Sequence, residues 1–244
     1  MSRTDYMIKA FRDIGISLSD KQVDQFNKYY SLLIEQNKVM NLTAITDYEE
    51  VVIKHFIDSL CLIRVTDLSE EKKIIDVGTG AGFPGIPLKI VYPNLRLVLL
   101  DSLNKRIKFL EDVISELGLN RNSITTIHGR AEDFGQDELY REKFDLCVSR
   151  AVANLSTLSE YCIPFVKLEG SFIPYKAGDI QDEVKEARKA VNTLGGNIKI
   201  VDSFRLPGTD IDRSLIKIDK INKTPKKYPR QAGKPKNQPL KYLL

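Results

Sequence analysis

The fold of this chain is decided at Asp76-Val77-Gly78-Thr79-Gly80-Ala81-Gly82-Phe83-Pro84-Gly85. The apolar, β-branched run before it, Lys73-Ile74-Ile75, indicates a buried parallel strand that ends in glycines. Glycines let the backbone turn sharply and approach a ligand that a Cβ atom would exclude. A second apolar run, Leu97-Val98-Leu99-Leu100, ends in Asp101, the position at which an open α/β sheet holds a ribose diol. Together these features predict a site for an adenosine-containing cofactor.

The charges around the glycines indicate which cofactor this is. Gly80-Ala81-Gly82-Phe83-Pro84-Gly85 matches the dinucleotide pattern G-x-G-x-x-G, so an NAD-dependent oxidoreductase is one alternative. Asp76 would repel a pyrophosphate, however, and Pro84 and Pro87 lie where phosphate binding would need backbone N–H groups. No Gly-Lys-Ser/Thr follows the glycines, which excludes a P-loop. S-adenosylmethionine has no phosphate and carries a sulfonium and an ammonium group, so we expect it as the cofactor, with Asp76 near its amino acid end and Asp101 on its ribose.

The composition predicts a globular enzyme without metal or disulfides. The 244 residues allow one large domain or a domain with a small appendage, and 42% hydrophobic residues is ordinary for a globular chain. Three widely spaced cysteines and two histidines, without any ligand spacing, argue against a disulfide framework and a zinc site. No signal core and no apolar run of membrane-spanning length is present. We therefore expect a cytoplasmic protein with no membrane partner.

The net charge of +4 is concentrated near the C-terminus. Residues 217–241 contain nine Lys/Arg and one acid, and prolines and tyrosines interrupt the run. The prolines predict an extended, non-helical segment that runs over a surface. Such a segment is expected either to contact nucleic acid phosphates or to be a solvated basic tail.

The periodicity predicts helices first and then a parallel sheet. Residues before about 68 show helical spacing, with a capping box at Ser19-Asp20-Lys21-Gln22 and an amphipathic stretch over 47–62. Later helices are predicted at 105–117, 155–166 and 179–194. Strands are predicted at 72–77, 96–101, 123–128, 144–149, 170–175, 198–204 and 214–218. The last two strands have no helix between them, which predicts a terminal antiparallel hairpin.

This pattern is that of an α/β, Rossmann-like class I S-adenosylmethionine-dependent methyltransferase with a seven-stranded sheet and an N-terminal helical extension. We expect the extension over 1–68, the methyltransferase domain over 69–221 and a basic, Pro-rich tail over 222–244, packed on or near the domain.

A combination of motifs along nearly the whole chain is typical of one family. The motifs are Asn41-Leu42-Thr43-Ala44-Ile45, Lys54-His55-Phe56-Ile57-Asp58-Ser59-Leu60, the glycine loop through Leu88, Leu100-Asp101-Ser102-Leu103-Asn104-Lys105-Arg106, Gly129-Arg130-Ala131-Glu132, Ser149-Arg150-Ala151-Val152 and Tyr228-Pro229-Arg230-Gln231-Ala232-Gly233. Through them the chain resembles the RsmG (GidB) family of bacterial 16S ribosomal RNA guanine-N7 methyltransferases. The resemblance implies methyl transfer to a guanine in the 530 loop of 16S ribosomal RNA, within the small subunit or a precursor of it. It also implies cofactor contacts at Gly78, Phe83, Ala131, Glu132 and Arg150.

Other candidate site residues follow from position and charge. Asp76, Gly80, Gly82 and Asp101 belong to the cofactor loop and the ribose position. Three polar residues of the N-terminal part are candidates for holding the target base: Asn41, His55 and Asp58. Candidates for RNA phosphate contacts, or simply for a solvated charged face, are Lys105, Arg106, Arg213, Lys226, Lys227 and Arg230.

The sequence also narrows the chemistry. Cytosine-C5 transfer needs a cysteine nucleophile, commonly after Pro or Thr, but Cys147 follows Leu146 and Cys162 follows Tyr161. Exocyclic-amine transfer commonly uses an Asn/Asp-Pro-Pro-Tyr/Phe loop, which residues 149–154 do not match. Guanine N7 needs no general base, and we expect no acid–base catalyst. A non-catalytic ribosome-assembly binder is a further alternative, against which the intact acids and glycines argue.

Overall fold

Seven strands form one sheet in the order β3-β2-β1-β4-β5-β7-β6. The structure, a computed structural model, describes residues 1–150 and 153–240. Only β7 runs antiparallel to its neighbours, and it forms the predicted terminal hairpin with β6. The strands are β1 Lys73–Val77, β2 Arg96–Asp101, β3 Ile124–His128, β4 Phe144–Ser149, β5 Val166–Ala177, β6 Gly196–Arg205 and β7 Asp212–Lys220. The predicted strands are thus confirmed, and β5 begins earlier than its pattern indicates.

The order of the strands locates the site. The chain moves from β1 outward to β3 and then returns to β4 on the other side of β1. Ligands in open α/β sheets bind outside the carboxyl ends of the strands at such a reversal. Here Val77 ends β1 and Ser149 ends β4, and the Ser149 hydroxyl donates to the Val77 carbonyl at 2.7 Å. The glycine loop and Arg150 therefore emerge side by side.

Helices cover both faces of the sheet. Their bounds are α1 Arg3–Asp13, α2 Asp20–Met40, α3 Tyr48–Val51, α4 Asp58–Leu60, α5 Gly85–Val91, α6 Asn104–Glu116, α7 Ala131–Phe134, α8 Leu155–Cys162, α9 Gln181–Thr193 and α10 Lys234–Asn237. A predicted helix over 155–166 is shorter in the structure, because Pro164 follows α8 and the chain continues as a 3₁₀ turn into β5. Among the described residues, no helix combines the length and apolar character needed to cross a membrane, and no cluster of His, Cys, Asp and Glu could hold a metal ion.

The N-terminal helices share one apolar core with the sheet. Helix α2 begins at the predicted capping box, in which the Ser19 and Gln22 side chains each accept a backbone N–H of the other residue. Its buried face includes Phe26 and Tyr29, which belong to the same cluster as Ile74 of β1. The Tyr29 hydroxyl donates to the Ala81 carbonyl at 2.6 Å. The N-terminal part therefore supports the glycine loop directly.

The predicted amphipathic helix over 47–62 is not a regular α-helix. A π-helical stretch, Val52–Ile57, separates α3 from α4, and a 3₁₀ turn follows at Cys61–Arg64. A π-helix changes which side chains share a face, and such insertions are frequent at functional sites. This one contains His55 and directly precedes Asp58.

The C-terminal tail is extended and packed on the domain, except for one short helix that the sequence does not predict. Tyr228 is buried, and residues 221–233 run along the surface without regular structure. The sequence predicts no helix here, but Lys234–Asn237 forms one helical turn with Pro235 in its first positions. Proline is tolerated there because its missing N–H is not needed in the first turn of a helix.

Candidate functional site: two adjoining cavities

The glycine loop takes a backbone path that favours glycine at three points. Gly78 and Gly80 have φ angles of 72° and 63°, in the left-handed region that other residues rarely adopt. Gly82 also has a positive φ, and a Cβ there would lie 2.8 Å from the Tyr29 hydroxyl oxygen and 2.6 Å from a side-chain carbon of Ile86. Gly82 thus permits close packing on α2 and α5, and it is not among the lining residues of the two cavities described below.

Asp76 lies beneath this loop. Its Oδ2 accepts the Thr79 hydroxyl at 2.7 Å and the Gly85 N–H at 2.9 Å, which fixes both ends of the turn. The other oxygen, Oδ1, is buried and has no hydrogen-bond partner among the described residues. Burial raises the pKa of Asp76 to about 7, although the Thr79 and Gly85 hydrogen bonds act in the opposite direction. Asp76 is not among the lining residues of the two cavities described below, and its contacts in the structure shape the loop.

Asp101 lies at the end of β2 and connects three parts of the site. Its Oδ2 accepts the Gly80 N–H at 2.9 Å, and its Oδ1 accepts the Leu103 N–H at 2.9 Å. The Arg106 guanidinium lies 3.2 Å from Oδ2. A carboxylate offers about four lone-pair positions, so Asp101 can still accept a hydroxyl group.

The first cavity has a volume of about 470 Å³ and opens beside Asp101. That volume is within the range of about 300–1,000 Å³ usual for small-molecule sites. It is lined by Val77, Gly78, Leu100, Asp101, Ser102, Gly129, Arg130, Ala131, Glu132, Ala153, Asn154, Thr157, Leu158, Tyr161, Lys236 and Pro239. The Asp101 and Glu132 carboxylates can accept hydrogen bonds from the diol and the amine of an adenosine, and Arg130 and Lys236 add two cations to the same lining. The residues therefore fit S-adenosylmethionine.

Four of the nine predicted cofactor residues line this cavity: Gly78, Asp101, Ala131 and Glu132. Gly80 contributes its N–H to Asp101 behind the cavity wall. Phe83 is buried under the loop, where its ring stacks on His55 with centroids 4.6 Å apart. Phe83 thus packs between the loop and the N-terminal helices.

Arg150 belongs to a second cavity. Its guanidinium lies 5.0 Å from the centre of the Phe83 ring and 3.0 Å from Asp58 Oδ2. The Nε of Arg213 donates to Asp58 Oδ1 at 2.9 Å, so one carboxylate, only 3% exposed, holds two guanidinium groups. This second cavity has a volume of about 670 Å³ and is lined by Ile45, Lys54, His55, Asp58, Arg150, Ala153, Asn154, Tyr175, Lys176, Ala177, Glu183 and Arg213.

His55 is neutral in this arrangement. Arg150 lies 3.2 Å from His55 Nδ1, and because a guanidinium only donates, Nδ1 must accept. The proton is then on Nε2, which donates to the Thr43 hydroxyl oxygen at 2.8 Å. Burial lowers the pKa of His55 to about 3, and the nearby Arg150 charge acts in the same direction. His55 therefore orients Arg150 and does not act as an acid or base near neutral pH.

The two cavities meet at one point. Ala153 and Asn154, in the segment that leads from β4 to α8, line both of them. The Asn154 side chain accepts the Ser156 N–H at 3.0 Å and so caps α8. Ala151 and Val152 of the same loop, which belong to a family motif, lie outside the described residues. The two cavities are therefore adjacent.

The other predicted RNA residues lie outside both cavities. Asn41 is exposed and ends α2 in a left-handed conformation, and Lys105 is exposed near Asp101. Arg106 is ion-paired with Asp101. Lys226 and Lys227 are exposed.

Arg230 does not lie free on the surface. Its guanidinium forms two hydrogen bonds with Glu160, at 2.8 and 2.6 Å. The guanidinium charge of Arg230 is therefore paired with the Glu160 carboxylate.

Sequence reasoning missed several residues of the first cavity. Thr157 and Tyr161 come from α8, and Lys236 and Pro239 come from the tail. Proximity to the family motif around Tyr228 was the one available signal for the tail residues. Cys147 and Cys162 are fully buried in β4 and α8.

The chain matches the family model described as rRNA small subunit methyltransferase G (GidB) over residues 22–215. A ribosomal RNA small subunit methyltransferase G from Lachnoclostridium phytofermentans is 52% identical over 233 residues, which cover 96% of both chains. The protein of the same name from Thermoanaerobacter sp. is 52% identical over 236 residues, covering 97% of this chain and 98% of that relative.

Solved structures show the same fold at low identity. M. jannaschii TYW2 in complex with AdoMet has a TM-score of 0.52 and 13% identity, covering 67% of this chain and 75% of that chain. MtNAS in complex with MTA and tNA has a TM-score of 0.54 and 15% identity, covering 80% and 74%. The seven-stranded sheet and these likenesses confirm the Rossmann-like methyltransferase fold. On the sequence matches, this chain belongs to the GidB family of rRNA small subunit methyltransferase G proteins.

Proposed function

We propose that this chain transfers a methyl group from S-adenosylmethionine to N7 of a guanine in the 530 loop of 16S ribosomal RNA. The observation that carries the proposal is the junction of the two cavities at Ala153 and Asn154. Family membership supports a methyltransferase that acts on small-subunit ribosomal RNA. The family resemblance supports the position of the modified guanine.

The first cavity would hold the cofactor, which supplies an electrophilic methyl group on a sulfonium when bound. Asp101 would accept the ribose hydroxyls, and the backbone of Gly78 allows close approach of the ligand. Glu132 and Ala131 would face the adenine. The loop and its anchors on Asp76 and Tyr29 would keep this wall rigid.

The second cavity suits a nucleophile that needs no proton removal. Among its described lining residues, each imidazole or carboxylate is already bonded: His55 at both nitrogens, Asp58 to two guanidinium groups and Glu183 to Lys176 at 2.7 Å. Guanine N7 carries an in-plane lone pair and attacks without a general base. Catalysis would then come from alignment of N7 with the methyl group and from exclusion of water.

Recognition would come from cations that surround the acceptor. Arg150, Arg213 and Lys54 line the second cavity and offer N–H donors for guanine O6 and for flanking phosphates. A guanidinium that donated to N7 would block the reaction, so O6 is the base atom these donors suit. The target must be unpaired or splayed out, because the deep major groove of A-form RNA hides N7.

The decisive experiment is methyl transfer from labelled S-adenosylmethionine to small ribosomal subunits from a strain that lacks the gene. Nucleoside mass spectrometry should find 7-methylguanosine at a single position in 16S ribosomal RNA. Subunits from the parent strain, which are already modified, are the control and should accept little label. Detection of 5-methylcytidine or N6-methyladenosine would contradict the proposed acceptor.

A binding measurement tests the cofactor separately. Calorimetry should show binding of S-adenosylmethionine and of its demethylated product, and no comparable binding of NAD. Tight binding of NAD without binding of S-adenosylmethionine would support the oxidoreductase alternative.

A further inference from the structure

The first residues of the C-terminal segment, which comprises residues 224–240, are hydrogen-bonded to the sheet domain. The Arg141 guanidinium donates to the carbonyls of Thr224 and Tyr228, both at 2.7 Å. The Gln136 amide donates to the Pro229 carbonyl at 2.8 Å. These bonds satisfy the backbone of a segment that has no strand partner, so it follows a defined path.

The middle of the segment is bound to α8 by hydrogen bonds and an ion pair. Arg230 donates from its backbone N–H, its Nε and a terminal nitrogen to Glu160, at 2.8, 2.8 and 2.6 Å. Glu160 is fully buried, and a buried carboxylate needs such a partner. The Thr157 hydroxyl on the same helix donates to the Pro235 carbonyl at 3.1 Å. The helix that receives these bonds is also a wall of the first cavity.

The end of the segment reaches the first cavity itself. The Gly233 N–H donates to Glu132 Oε1 at 3.1 Å, and Glu132 lines that cavity. Gly233 has a φ of 85°, which starts the single turn of α10. Lys236 and Pro239 line the cavity beyond it, with Lys236 exposed at the mouth.

We propose that the C-terminal segment is part of the cofactor site, with residues 233–239 forming one wall around the adenosine end of the ligand. Gly233 positions the Glu132 carboxylate, and Lys236 and Pro239 contact the bound cofactor. Arg230 is a positioning residue that holds this wall through Glu160. The inference rests on the proposed function and assigns to the tail a role that charge alone did not suggest.

The position of residues 233–239 predicts which ligands should depend on them. The segment meets the cavity next to Glu132, on the side of β3, where the adenine is expected. S-adenosylmethionine, S-adenosylhomocysteine and methylthioadenosine all carry the adenosine group. Loss of the wall should therefore weaken all three by a similar factor.

The test compares two shortened chains by calorimetry with those three ligands. A chain that ends at Ala232 lacks the wall, and a chain that ends at Leu240 keeps it as the matched control. Loss of a charge-assisted hydrogen bond and of the wall contacts should weaken binding by about tenfold or more for the first chain. The control should bind like the full chain. Thermal unfolding of both shows whether the fold is intact.

A double substitution keeps the test valid if the shorter chain does not fold. Lys236→Ala with Pro239→Ala trims both lining side chains and should weaken all three ligands by about fivefold. Lys227→Ala, an exposed lysine of the same segment outside the cavity, is its matched control for cofactor affinity. Unchanged affinity in the folded short chain or in the double variant would overturn this inference alone. A full chain that binds none of the three ligands would remove the proposed function as well.

Discussion

Substitution of Asp76 by Asn distinguishes two roles of this carboxylate: a charge contact with the cofactor, and the shaping of the glycine loop by hydrogen bonds. Asn keeps an oxygen that can accept from Thr79 and Gly85, but it carries no charge. If Asp76 acts by shaping the loop, Asp76→Asn should change cofactor affinity by less than about threefold, since this residue lines neither cavity. Asp76→Ala removes both hydrogen bonds and should weaken the cofactor.

The stability of the two proteins should respond differently to pH. Burial raises the pKa of Asp76 from 3.8 to about 7, so the folded state binds more protons than the unfolded state between these values. The stability that this group contributes is therefore fully present below about pH 4 and is lost as pH rises to about 7. At about 1.4 kcal/mol per pKa unit, this difference in proton binding lowers the free energy of unfolding, relative to its value below about pH 4, by about 2 kcal/mol at pH 5 and about 4 kcal/mol at pH 9.

The free energy of unfolding of the wild-type protein should thus fall by about 2–3 kcal/mol relative to Asp76→Asn between pH 5 and pH 9. The amide of Asn lacks a partner at the position of Oδ1 and costs about 1–3 kcal/mol at every pH, which shifts the difference without changing its slope. Urea titrations of both proteins at five pH values measure this. If the free energies of unfolding of the two proteins changed in parallel with pH over that range, Asp76 would not be a buried carboxyl with a raised pKa.

Four other substitutions or measurements test the remaining contacts. Asp58→Asn leaves two guanidinium groups without their counter-ion and should lower the free energy of unfolding by about 2–4 kcal/mol in urea titration, whereas a loss below about 0.5 kcal/mol would show that the pairs are not stabilising. Tyr29→Phe should cost about 1–2 kcal/mol in the same assay, because the Ala81 carbonyl loses its buried donor, and an unchanged midpoint would contradict that bond. Nitrogen-15 NMR should show His55 neutral, with the proton on Nε2, from pH 8 down to about pH 4, because burial lowers its pKa to about 3. The same shift means that the stability contributed by neutral His55 is lost as pH falls below 6.5. Titration of His55 near pH 6.5 would contradict this. Asp101→Ala should weaken S-adenosylmethionine at least about tenfold in calorimetry while the exposed Asp112→Ala does not, and equal affinities would remove Asp101 from the site.

The local parts of the fold were predictable because their signals are contiguous in sequence. The capping box at Ser19, the apolar strand before Asp76 and the missing helix before β7 each depend on a few neighbouring residues. The π-helical stretch was not predictable, because one inserted residue leaves the apolar pattern almost unchanged.

The sequence by itself determined the fold class and the family, and it predicted where a cofactor would bind, since glycines and acids at strand ends lie at the same edge of a parallel sheet. Only the tertiary structure decided which of these residues face which cavity. Asp76 lies two positions before Gly78 and Phe83 directly follows Gly82, yet both side chains are buried, while Arg150 turns toward Asp58 and the second cavity. The tail reaches Glu132 across 101 residues of sequence, a contact that no local pattern encodes. Side-chain direction and long-range packing depend on the whole core, and for that physical reason the division of the site into two cavities appears only in the folded chain.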